Sequence, residues 1–271
     1  MQPWRDYFYS SKTVKSITLL CCMSASLVAF TLFANPHDKE GNPHTTDPIT
    51  FIVGVEDIDY YPYYAFVDSP HNNGFLRTIL EQFGKAHHYQ FEFIPLPVKR
   101  FDHWYEESKI DFRLPDNPLW HGREQQSLIY SAPILTLSTG TVVPKIAQYR
   151  PLREFGVIGT ITGFVASPHW ADMSASNELE IVNDVTVRSL VRLLYEGVIE
   201  GIDIDLYTSR YYAREMGFDE SQIVYAAHVP SLEVQYYLST IKHNHVIEEF
   251  NQYLNEHQSE IADIISNARK E

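Results

Sequence analysis

Two carboxylates with one residue between them, Asp203 and Asp205, lie within the strand-like run Ile202–Leu206, and an arginine, Arg123, closes the segment Asn117-Pro118-Leu119-Trp120-His121-Gly122-Arg123. A guanidinium in an aromatic-flanked loop is a two-pronged partner for a carboxylate. A carboxylate at a strand end can in turn meet an ammonium. Alternation along a strand places Asp203 and Asp205 on one face, so the two compete for that role. Plainer uses exist for each: Arg123 as a surface charge, Asp205 as a solvated residue or the cap of the following helix. A third feature, Asp59-Tyr60-Tyr61-Pro62-Tyr63-Tyr64, directly follows the apolar run Ile49–Val55. Aromatic residues at the carboxyl end of a strand face the crevice where α/β sheets bind ligands, or else pack beneath their own loop. Gly74-Phe75 then opens a helix, as a close approach of chain and ligand requires. Together these residues point to capture of a small polar ligand.

Other chemistry finds little support. The chain carries no GxSxG, HExxH, Walker or GxGxxG motif, and no Lys follows Gly156, Gly159 and Gly163. The pairs His243-x-His245 and His87-His88 fall near ends of expected helices, where solvated imidazoles are the simpler reading than a metal site. No metal, no cofactor and no enzyme activity is expected. A formal charge of −14 argues against nucleic acid and against a basic membrane-surface patch, and 44% hydrophobic residues exclude a largely disordered chain.

The elements that must position these residues begin late in the chain. Lys12 and Lys15 precede Ile17 to Ala34, an apolar run without charge, so residues 1–34 read as a cleavable secretory signal peptide. An uncleaved membrane anchor is the alternative. Both cysteines, Cys21 and Cys22, lie inside this segment, so the remainder must be held by its core alone. Residues 35–48, polar and rich in Pro and Asn, read as a flexible linker.

Beyond the linker, extended and helical patterns alternate. Strands are expected at 49–55, 90–94, 110–114, 134–143, 156–158, 202–206 and 232–238. Helices are expected where Phe75, Ile79 and Phe83, then Val187, Leu190 and Leu194, then Val246, Phe250 and Leu254 recur at helical spacing, with further helices at 101–105, 207–216 and 261–265. This rhythm predicts an α/β fold of mainly parallel sheets.

In that order the residues resemble the family-3 periplasmic solute-binding proteins, the polar amino-acid binders of ABC transporters. The opening strand, the aromatic-Pro-aromatic loop and Gly74-Phe75 resemble the family's first module. Pro97-x-x-Arg100 with Lys109-Ile110-Asp111, and Arg123 with Tyr130-Ser131-Ala132-Pro133, are similar to its next segments. Val142-Val143 resembles the first crossing between lobes, Gly197 through Asp205 the family's Gly-Arg-x-Asp-Ala segment, and Tyr236 to Ser239 the return. The resemblance spans roughly residues 49–265. It implies a two-lobed periplasmic binding protein type 2 fold with mixed sheets, flanking helices and a cleft between lobes. Lobe one would comprise about 49–141 plus 229–271, and lobe two 142–228 with the hinge strands. By the same resemblance Arg123 would hold an α-carboxylate and Asp205 an α-amino group. Tyr61 or Tyr64 would cover the ligand's side chain, and Thr160 or Thr162 would supply polar contacts from lobe two. Trp120 stands where the family has a Thr, three residues before the arginine. If Gly201 rather than Gly197 is aligned, Asp203 takes the motif position and Asp205 loses its role. The implied function is capture of an amino acid or related carboxylate or amine by hinge closure, as a monomer, for delivery to a membrane permease. A sensing module for a membrane receptor, or a dehydratase-like enzyme with Glu124 or Asp116 as its acid, is the alternative on the same fold.

Overall fold

In the computed structural model, which describes residues 47–66, 74–121 and 127–270, the opening apolar run forms β1 (Ile49–Glu56). The expected signal peptide, most of the expected linker and Arg123 lie outside those residues. The aromatic loop folds on itself as a small ribbon, β2 (Asp59–Tyr60) against β3 (Tyr64–Ala65). Next come α1 (Phe75–His87), β4 (Tyr89–Leu96), a short 3-10 turn over Val98–His103 continuing into α2 (Trp104–Glu107), and β5 (Phe112–Asp116). Phe75, Leu76, Ile79, Leu80 and Phe83 form the buried stripe of α1, as their spacing requires. β4 and β5 pair in parallel on either side of β1, so β1 is a central strand covered by helices.

After β6 (Ile129–Tyr130) the chain enters β7 (Leu135–Pro144), ten residues long. There follow β8 (Val157–Ile161), α3 (Pro168–Ala175), β9 (Glu180–Asp184), α4 (Val187–Tyr195), β10 (Gly201–Ile204), α5 (Leu206–Glu215) and β11 (Ile223–Tyr225). The chain then turns into β12 (Leu232–Thr240) and closes with α6 (Asn244–Glu256) and α7 (Gln258–Ala268). The strand order is β4-β1-β5-β12-β7-β10-β8-β9, with β6 on β12 and β11 on β7.

Two strands join the lobes. The first half of β7 pairs antiparallel with the first half of β12, from Thr139 opposite Leu232 to Leu135 opposite Tyr236. Beyond that ladder β7 runs on to pair β10 and β11, while β12 runs the other way to pair β5 and β6. Each strand therefore belongs to both lobes. α6 packs on β12 and β6, and α7 on α1 and α6, so the C-terminal helices lie on the side of β1.

α3, β9, β11 and the small aromatic ribbon are elements absent from the expectations above. β9 is five residues of mixed polarity, Glu-Ile-Val-Asn-Asp, on the sheet edge, and edge strands lack the apolar run that identifies buried ones.

Candidate functional site

A cavity of about 360 Å³ lies between the lobes. Ligand pockets for small molecules run from about 300 to 1,000 Å³, so the space suits one small organic molecule. Lobe one contributes Glu56 from the end of β1, Tyr60, Phe101, Asn117 and Trp120. Glu233, Val234 and Tyr236 come from β12. The other wall is the loop from Gly163 to Pro168, joined by Asp203 and Ile204 of β10. Leu119 and Val165, both exposed, lie at the rim.

The loop leading to α3 is placed by hydrogen bonds. Ser167 donates its backbone N–H and its hydroxyl to the Asp203 carboxylate, each at 2.7 Å. Burial pushes the Asp203 carboxyl up, and the two bonds from Ser167 oppose that rise. Gly163, at φ +97°, brings this loop against lobe one: a Cβ there would stand 3.0 Å from the Val98 Cβ and 3.1 Å from the Lys99 backbone nitrogen.

Lobe one's wall rests on a buried charge cluster. Asp116, fully buried, meets the Arg113 guanidinium at 3.1 Å and His121 Nε2 at 2.7 Å, and accepts from the Ser239 hydroxyl. His121 Nδ1 reaches Asp102 at 2.8 Å. Burial opposes the His121 charge, but Asp116 and Asp102 outweigh it and raise its pKa. Asp116 also accepts the Asn117 backbone N–H at 2.6 Å, and Asn117 donates to the Gln235 carbonyl at 2.7 Å. The cluster thereby fixes the turn that carries Trp120, whose ring stands edge-on to Tyr236 with centroids 5.6 Å apart.

Glu56 is the deepest charge in the cavity wall, 2% exposed, and accepts a hydrogen bond from the Tyr64 hydroxyl. Burial raises its pKa to about 7, with the Tyr64 bond pulling the other way and Asp57 and Asp116 adding to the rise.

The residues expected to form the site are distributed as follows. Trp120 lines the cavity. Tyr64 sits behind it as the donor to Glu56, and Tyr61 packs on Tyr211 of α5 with ring centroids 4.5 Å apart. Thr160 is buried within β8, and Thr162 donates its N–H to the Asp184 carbonyl at 2.8 Å, while the loop just beyond them faces the cavity. Asp205 is buried as the cap of α5, accepting the Thr208 N–H at 3.0 Å. Of the competing pair, it is Asp203 that reaches the cavity lining. Arg123 falls outside the described residues. Among the described residues no group of three His, Cys, Asp or Glu side chains is placed to hold a metal. His243 is instead engaged by Asp111 at 3.0 Å.

Glu56, Glu233, Phe164, Ser167 and Tyr236 line the cavity but were not among the expected site residues. For Glu56 a signal existed: it is the acidic residue that ends the first buried strand, where α/β sheets gather ligand contacts.

The lobes touch each other beside the cavity. The Tyr60 ring packs on Phe164 at 5.7 Å, and the Tyr212 hydroxyl of α5 donates to the Asp59 carbonyl at 3.1 Å. A two-lobed α/β protein with hinge strands and a largely apolar cleft between the lobes has the architecture of a periplasmic binding protein. No protein-family model and no curated protein matches the chain in sequence. Solved structures do match in fold. A variant of the arginine-binding protein of T. maritima superposes at TM-score 0.64 with 16% identity, over 82% of this chain and 96% of that one. An ancestral arginine-binding protein bound to arginine gives 0.63 with 15% identity, over 82% and 99%. A histidine kinase sensor domain with similarity to periplasmic binding proteins gives 0.65 with 14% identity, over 82% and 96%. The chain therefore has the fold of the amino-acid-binding periplasmic proteins, as the residue resemblance anticipated.

Proposed function

We propose that this protein is a periplasmic solute-binding protein that captures a small polar ligand, an amino acid or a related carboxylate or amine, by closing its two lobes. The observation that carries this reading is the cleft with polar groups from both lobes, between lobes joined by two continuous hinge strands. A ligand touching both lobes favours the closed state by its differential contacts, which is how hinge proteins signal occupancy. In this reading lobe one comprises about 49–141 plus 229–271, residues 1–34 are a signal peptide removed on export, and the closed form docks on a permease of an ABC transporter. The likeness to a sensor domain supports a second reading, in which the closed form is presented to a membrane receptor instead. A thermal-shift screen of the exported protein against amino acids, amines and small carboxylic acids tests the common part. Ligands that bind only the folded state raise its melting temperature. A rise of several degrees with one compound class supports capture, and no rise with any class refutes it. For a carboxylate ligand, Arg123→Ala is expected to weaken binding by about 2–5 kcal/mol, since it would strand a buried charge. Asp203→Asn and Asp205→Asn, compared by calorimetry, decide which acid meets an amine.

A further inference from the structure

The charged residues that line the cavity are all acidic. Glu56 enters from β1, Glu233 from β12 and Asp203 from the opposite lobe, and among the described lining residues none is Lys, Arg or His. The rest of the wall is largely apolar, with the rings of Tyr60, Trp120, Phe164 and Tyr236 among aliphatic side chains. Ring faces attract cations, most strongly where water is excluded. Carboxylates and aromatic rings around one cleft form a receptor for a positive charge.

Glu56 gives this receptor a further property. The titratable groups facing it are Asp57 beside it in the chain, Tyr60 of β2, Tyr64 of β3, Asp116 of β5 and Tyr236 of β12. Arg113 and His121, which lie beside Asp116, are already paired with it. A buried carboxylate with one hydroxyl donor and acidic neighbours is better off neutral, and Glu56 holds its proton up to about pH 7. An ammonium or guanidinium arriving beside it reverses the balance, because a buried ion pair is far less costly than either ion alone.

Resting on the solute-binding reading, we propose that this cavity exchanges a proton for an organic cation: the ligand's positive group settles beside Glu56, Asp203 closes on it from the other lobe, and the Glu56 proton leaves to solvent. The balance is one neutral acid and one cation in, one ion pair and one hydrated proton out.

Calorimetry with arginine and agmatine as probes, and glutamine and glutamate as controls, tests it. Titrations at about pH 6 in buffers of different ionisation enthalpy count the protons released. Each cation is expected to release close to one proton at about pH 6 and almost none at about pH 8. Its affinity should rise roughly tenfold between those values, since one group is discharged over one to two pH units. Glu56→Gln, checked for folding by circular dichroism, is expected to abolish the release and flatten the pH profile. Asp203→Asn should weaken the cations while leaving the release in place. Binding of arginine without proton release, release that persists in Glu56→Gln, or tighter binding of glutamine or glutamate each overturns the exchange. If none of the four compounds binds, the exchange is likewise refuted, and the broader thermal-shift screen decides separately whether the protein captures solutes.

Discussion

The backbone N–H of Asp205, at the start of α5 in lobe two, donates to the hydroxyl of Tyr60 in lobe one at 3.1 Å. The same Asp205 caps α5 with its carboxylate, and the Tyr225 hydroxyl stands 3.4 Å from its other oxygen. One residue thus fastens its own helix and the facing lobe. The bond exists only while the lobes are together, so it contributes to closure and not to the stability of either lobe.

Tyr60→Phe separates these effects. The ring keeps its packing on Phe164, but the buried Asp205 N–H loses its acceptor, which costs about 1–3 kcal/mol in the closed state. Ligand affinity is expected to fall about tenfold or more, and small-angle scattering of the ligand-free protein should report a larger radius of gyration. Wild-type affinity together with unchanged dimensions would show that this bond does not hold the lobes.

Gly163→Ala tests closure from the other side. A Cβ at φ +97° is strained on its own, and here it would press on Val98 across the cleft. Binding is expected to weaken markedly. Val98→Ala in the same chain should restore only part of the loss, because the Lys99 backbone remains at 3.1 Å from that Cβ. Full restoration would assign the whole effect to the Val98 side chain.

Glu56 links stability to pH in the ligand-free protein. Its folded pKa of about 7 lies above the ordinary 4.5, so the folded state holds the proton more tightly than the unfolded one. Stability from this group is therefore present below about 4.5 and is lost as pH rises through 7, to a total of about 3 kcal/mol. Denaturant unfolding at several pH values should show that decline in the wild type and not in Glu56→Gln. A wild-type profile identical to that of the variant would contradict the buried acid.

His121 has the opposite chemistry and loses stability in the same direction. Its pKa is raised in the fold, so its charged form contributes fully below the usual imidazole range of about 6.5, and the contribution is lost as pH rises through the folded value. His121→Ala leaves fully buried Asp116 with one partner fewer and is expected to destabilise by about 3 kcal/mol in mild acid. The cost should shrink in alkali. A cost independent of pH would mean that His121 acts by packing alone.

Much of this arrangement was legible from residue patterns. The α1 stripe, the long strand before Pro144 and the alternation of Leu232, Val234, Tyr236 and Leu238 all mark elements that the structure contains, because burial imposes its period on the chain. The site was legible in outline only. Trp120 and Asp203 were named from local sequence, but which of Asp203 and Asp205 reaches the cavity depends on where β10 ends and α5 begins. Two residues along the chain separate the cavity-lining carboxylate from the helix cap. Glu56 and Tyr64 are eight residues apart and meet because the ribbon of β2 and β3 folds back over the end of β1, a geometry that no periodicity encodes.

Export adds a test outside the described residues. If residues 1–34 are cleaved, mass spectrometry of the exported protein should find a chain beginning near Asn35. An intact N-terminus in the membrane fraction would instead make the segment an anchor.

The ladder between β7 and β12 has a consequence for how such a chain can be cut and rejoined. Thr139 and Leu232 are cross-strand partners, so the backbone leaves the first lobe and re-enters it at adjacent points only one strand spacing apart. Everything between them is topologically a single excursion, and a two-residue hairpin joining Thr139 to Leu232 would span the same gap. The second lobe is in this sense a removable insert: the polypeptide need not be rethreaded to delete it, exchange it for another, or supply it on a separate chain.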